Sequence, residues 1–147
     1  MKLMLTAPAL MLAASTAFAQ SVEISRHEDR PGQIGSGTVF TGTAYISTVF
    51  GPQMNNVSAG EVTFLPGARS AWHTHPAGQM LVVTHGPGWT QERGQDKPVL
   101  KAGDVVCCPP GAEHWHGASD RPTMTHQPIH ADREATAHNW GHQATPT

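Results

Sequence analysis

The sequence predicts an all-β domain, a small sandwich or antiparallel barrel, on three observations. From Thr38 to Met124, short runs of β-prone residues alternate with turns containing Gly, Pro or Asn. No stretch sustains an apolar period near 3.6 residues with helix caps. The 147 residues suffice for one ordinary core and not for two.

The chain opens with Lys2, an apolar stretch from Leu3 to Ala14, and Ala17-Phe18-Ala19, the small-x-small form of an export cleavage site. Residues 1–19 therefore read as a signal peptide. Thr6, Pro8, Ser15 and Thr16 interrupt the run, short of the about 18 unbroken apolar residues that a membrane anchor needs. The mature protein is expected to begin at Gln20, to be periplasmic or secreted, and to have no membrane attachment after cleavage. Residues 20–37, polar and Gly-containing, form an N-terminal arm expected to pair with a neighbouring subunit.

The barrel is assigned to residues 38–131. Its expected strands are Ala44 to Thr48, Val57 to Leu65, Ala71 to His75, Gln79 to Thr84, Gly88 to Gln91, Pro98 to Lys101, Asp104 to Cys108, Glu113 to Gly117 and Thr123 to His130. Residues 132–147 form a polar tail in which Trp140 alone looks built to pack.

Nine basic and eleven acidic side chains give a formal charge of −2. Losing Lys2 with the leader leaves eight against eleven, or −3. No basic patch or stripe of the kind nucleic acid requires is present. Cys107 and Cys108, the only cysteines, are neighbours on a strand and point to opposite faces. A bridge between them would be strained, so they are assigned no chemistry.

Chemistry concentrates in two blocks. The first reads Gly67, five residues, His73, one residue, His75, three residues, Gln79, six residues, Gly86. On a strand, His73 and His75 share a face, so two imidazoles reach one ion. Pro76-Ala77-Gly78 supplies a bend that returns the Gln79 amide, a neutral oxygen ligand, toward them. The second block reads Gly103, five residues, Pro109, one residue, Gly111, two residues, His114. It sets a third imidazole on another hairpin.

These blocks resemble the two motifs of the cupin superfamily, with Gln79 where the first has Glu and Ala118 where the second has Asn. The pattern is more closely similar to small single-domain bacterial cupins that include metal-dependent hydroxynitrile lyases of the (R)-mandelonitrile lyase type. It runs through Pro66-Gly67-Ala68-Arg69, Trp72-His73-Thr74-His75, Gly78-Gln79, His114-Trp115-His116-Gly117-Ala118 and Met124-Thr125-His126. In that group Gln and Ala at these two positions are usual.

The resemblance implies a jelly-roll-like antiparallel barrel, a homodimer or homotetramer, and one divalent ion per subunit held by His73, His75, Gln79 and His114. Mn(II) is favoured, and Fe(II), Zn(II), Co(II), Ni(II) or Cu(II) also suit such a donor set. It also implies that His126 is poised beside the ion as the catalytic base for a cyanohydrin or carbonyl substrate. His130 shares the face of His126, His116 that of His114, and both are expected to line the substrate pocket with Val62 and Met80. Trp72 and Trp115 fall at odd offsets and should face away from the ion; Arg69 reads as a structural ion-pair partner rather than a substrate clamp. Two other activities fit the same motifs: a metal-dependent dioxygenase of quercetinase-like or thiol-oxidising type, and a non-catalytic module that binds a small molecule.

Overall fold

The computed structural model describes residues 21–51, 56–131 and 139–145. The expected signal peptide and residues 132–138 of the tail lie outside them. The described residues form twelve strands: β1 (Gly32–Ile34), β2 (Phe40–Thr41), β3 (Ala44–Phe50), β4 (Val57–Phe64), β5 (Arg69–Thr74), β6 (Gln79–His85), β7 (Gly88–Glu92), β8 (Val99–Leu100), β9 (Val105–Cys108), β10 (His114–Ala118), β11 (Met124–Ala131) and β12 (Asn139–Gln143). All pairings are antiparallel. One sheet runs β1-β3-β4-β11-β6-β9 and the other β12-β5-β10-β7-β8, with β2 added on β5. Apart from a 3-10 turn at His27–Asp29, no helix occurs among the described residues.

Strands β6 and β11 sort their residues by alternation, as half-buried strands must. Gln79, Leu81 and Val83 of β6 are buried while Met80 and Thr84 are exposed, and Met124, His126 and Pro128 of β11 are buried with half-buried residues between them. The register places Phe64 opposite Ala44 on one side and Met124 on the other. These three join Ala68, Val83, Leu100 and Ala118 in an apolar core, where Phe40 meets Phe64 edge-on at 5.8 Å. Further along the same ladder Val62 pairs with His126 and Ser58 with His130. The barrel thus has an apolar end that supplies the burial energy and a histidine end that does not.

One turn permits this closure only because of its glycine. Gly86 has φ +69°, and a Cβ built there would stand 1.9 Å from the Thr123 carbonyl oxygen, far inside contact distance.

Both presumed arms belong to the barrel. Gly32–Ile34 pairs with Tyr45–Ser47 of its own chain as the edge strand of its sheet. The tail supplies β12, with Trp140 opposite His73 and Gln143 opposite Ala71. Arg69 is structural through backbone carbonyls rather than through the ion pair expected: its Nε donates to the Ala144 carbonyl and its Nη1 to that of Gly67 at 3.1 Å, tying the tail to β5.

On the outer face of this sheet, Trp115 is only 2 % exposed. It packs edge-on against Trp72 at 6.5 Å and donates from Nε1 to Gln91 at 3.1 Å. Arg93, ion-paired with Glu113, covers Trp72 at 4.2 Å. Both tryptophans therefore face away from the histidines, as their parity predicts. Cys107 is exposed and Cys108 half-buried, both free. Burial pushes the Cys108 thiol up to about 11, which leaves it un-ionised and unreactive at neutral pH.

Candidate metal centre

His73 and His114 stand directly opposite each other across β5 and β10. Opposed residues of an antiparallel pair put their side chains on one face, and the two rings lie 4.4 Å apart. Each is oriented from behind: Nδ1–H of His73 donates to the Ala71 carbonyl and Nδ1–H of His114 to that of Ala112, both at 2.9 Å. A carbonyl only accepts, so the proton is fixed on Nδ1 and the Nε2 lone pair is left for a cation.

His75 follows β5 and is buried, with its ring 5.0 Å from that of His73 and 5.7 Å from that of His114. Its carbonyl accepts from Gly78 at 3.1 Å and from Gly111 at 3.0 Å. One oxygen thereby fastens the turn that delivers Gln79 to the turn that delivers His114. Gly78, at φ +80°, is the residue that lets the chain make the first turn.

Gln79 Oε1 lies 3.0 Å from His114 Nε2. A neutral imidazole with Nδ1–H already committed to Ala112 presents a lone pair there, so two acceptors face each other. Protonating the ring would relieve the conflict, but burial holds the His114 pKa below the usual histidine range, against smaller opposing effects of Ala112 and Glu92. A cation bound between ring and amide, or a half-turn of the amide, removes it. The donor set, neutral nitrogens with one amide oxygen, fits a divalent transition metal.

His116 enlarges the cluster beyond the sequence expectation. The ligand atoms of His73, His114 and His116 lie within 4.8 Å of one another, a trio able to hold a metal ion. Its shared parity with His114 was the available signal. His116 is also joined to His126, Nδ1 to Nε2 at 3.0 Å, while His116 Nε2 and His126 Nδ1 are buried without a hydrogen-bond partner. One proton serves the shared bond, so the two rings are coupled. When His126 donates from Nε2, its Nδ1 is a free base and His116 carries its own proton on Nε2, where it cannot ligate. When His116 donates, the roles reverse.

His126, 1 % exposed between Val62 and Val83, is kept neutral by burial and, secondarily, by the neighbouring His73 and His130, which lower its pKa to about 3. Burial, with His126 and His73 adding to it, holds His116 well below its ordinary value too.

A cavity of about 560 Å³ opens beside the cluster. His73, His75, Gln79, His116, His126 and His130 line its polar side; Val62, Phe40 and Pro128 are among its apolar residues. Trp140, 39 % exposed, stacks on His73 at 4.8 Å and forms part of the wall. Met80 does not: with Gln79 turned inward, its neighbour must point outward, and Met80 is 43 % exposed on the outer face. The expectation that it lines the pocket is corrected accordingly.

The profile of the cupin domain matches residues 60–126. The chain is 42 % identical over 125 residues to the (R)-mandelonitrile lyase of Granulicella tundricola, covering 84 % of this chain and 95 % of that one. Among solved structures it is similar to a cupin-like protein from Thermotoga maritima (TM-score 0.74, 39 % identity, 78 % of this chain and 87 % of that one). A predicted oxalate decarboxylase of the same organism shares the fold alone (TM-score 0.66, 16 % identity, 73 % and 96 %). With the two motifs carried on facing strands of a two-sheet antiparallel fold and relatives matched over nearly their whole length, the chain belongs to the cupin superfamily.

Proposed function

We propose that the chain is a hydroxynitrile lyase-like enzyme that cleaves or forms cyanohydrins, with one divalent ion, Mn(II) before the others, on His73, His75, Gln79 and His114. The observation that carries the proposal is the pairing of a neutral donor cluster with a buried neutral histidine, His126, on the wall of one half-apolar cavity. Three imidazoles and an amide would leave a bound ion its full double charge, so that it supplies Lewis acidity toward a hydroxyl or carbonyl oxygen.

The chain's own residues supply the rest. Val62, Phe40 and Pro128 take the organic group of the substrate and exclude water from it. His126, in the form that donates from Nε2 to His116, accepts the hydroxyl proton at Nδ1. The O–H electron pair becomes the second bond of the carbonyl, and the C–CN bond breaks with its pair leaving on cyanide. Cyanide then takes the proton from His126, regenerating the base and giving aldehyde plus hydrogen cyanide. In reverse, the same nitrogen protonates the oxygen as cyanide adds. This assignment leaves His116 as the partner of His126 and out of the ligand set. The 42 % identical lyase of Granulicella tundricola supports the reaction class; a periplasmic or secreted location and a homo-oligomeric state are proposed from the leader and the family.

The test is turnover of racemic mandelonitrile by the mature chain reconstituted with Mn(II), Fe(II) or Zn(II), with benzaldehyde, cyanide and dissolved oxygen followed together. Equal release of aldehyde and cyanide without oxygen loss is expected. Oxygen consumption without cyanide release would move the protein to the dioxygenases.

A further inference from the structure

The two ends of the Gln79 amide are chemically opposite: its oxygen binds a cation and its nitrogen cannot. Nothing within the side chain decides which end faces the centre. In the structure Oε1 faces His114 at 3.0 Å, while Nε2 lies 2.8 Å from Nε2 of His130. His130 comes from the far end of β11, 51 residues away in sequence, and its ring packs on that of His75 at 4.7 Å. An amide N–H facing an imidazole nitrogen donates to it, so His130 carries its proton on Nδ1 and accepts at Nε2.

We infer that His130 is a positioning residue for the metal centre: by accepting from the Gln79 amide nitrogen it fixes the amide oxygen toward the ion. The inference rests on the proposed role of Gln79 as a ligand. Without an acceptor at position 130 the amide is free to make its half-turn, and its NH2 group then satisfies the His114 lone pair. That arrangement is a good hydrogen bond and a poor cation site. The cost is therefore paid in ion affinity, about 10–100-fold for an orienting partner of this kind, and no contact between His130 and the ion is required.

The experiment measures the Kd of Mn(II) alone, by titration against a chelator, in the mature chain and in His130→Phe, His130→Gln, Gln79→Ala and the Phe/Ala double variant. A melting curve on each identifies any that fail to fold. His130→Phe is expected to raise the Kd about 10–100-fold, while His130→Gln, whose side-chain oxygen still accepts near the position of Nε2, stays close to wild type. In the Gln79→Ala background, His130→Phe should change nothing further. Wild-type affinity in His130→Phe, or a full loss that persists without Gln79, overturns the positioning role. Wild-type affinity in Gln79→Ala would instead remove Gln79 from the ligand set and the inference with it.

Discussion

Acidifying the metal-free protein should destabilise it in a way that one buried ring controls. An unfolded chain titrates its histidines near 6.5, whereas His126 in the fold is lowered to about 3. Its contribution to stability is complete above pH 6.5 and is lost as the pH falls from there toward 3, because only the unfolded chain takes up the proton. At about 1.4 kcal/mol per proton and pH unit, the loss between pH 7 and pH 5 is about 2 kcal/mol from His126 alone. His116, lowered for the same reason of burial, adds a loss of the same sign. Urea unfolding of chelator-treated protein, followed by tryptophan fluorescence at pH 7, 6 and 5, reads this directly. In His126→Gln, which has no ring to titrate, the drop over the same interval should be smaller by about 2 kcal/mol, whatever the variant's stability at pH 7. Identical pH slopes for wild type and variant would refute the claim that His126 is buried and neutral.

Other consequences follow from the same geometry. His73→Ala and His114→Ala each remove a nitrogen held ready for the ion, and His75→Ala removes a third proposed donor; all three should lose bound metal on dialysis, whereas His116→Ala should retain it, as metal analysis of the purified proteins will show. Arg69→Ala deletes the charged hydrogen bond to the tail carbonyl of Ala144; such bonds contribute about 1.5–3 kcal/mol, and a lower melting temperature with red-shifted tryptophan emission is expected as β12 loosens from β5. Gly86→Ala drives a Cβ against the Thr123 carbonyl at positive φ and should cost more than about 2 kcal/mol in denaturant unfolding, enough to appear as loss of soluble protein.

Much of this architecture was legible before the structure. Short β-prone runs punctuated by Gly, Pro and Asn located nine strands, because β-branched and aromatic residues suit a pleated surface and turns with positive φ need glycine. The spacing of His73, His75, Gln79 and His114 placed them together, because those intervals suit a strand, a tight turn and a facing hairpin. Strands β1, β2 and β12 were not legible. They are short, held by backbone hydrogen bonds to β3 and β5 that leave no hydrophobic pattern.

The coupling of His116 to His126 depends on a distance across two sheets, which no local spacing encodes. The link from His130 to Gln79 runs between the paired strands β11 and β6 of one sheet, a pairing that no local spacing encodes either. Met80 was misplaced for a different reason: its apolar character suggested a pocket wall, while the parity set by Gln79 already pointed it outward.

The central claim is that this chain uses His126 for proton transfer beside a metal held by other residues. Its most direct test is cyanide release from mandelonitrile by Mn(II)-reconstituted wild type and His126→Ala, with the metal content of each measured in the same samples. The account predicts equal metal in both and a fall in turnover of about 100-fold or more in the variant, as expected for removal of a general base. Undiminished cyanide release from a fully loaded His126→Ala protein would contradict it.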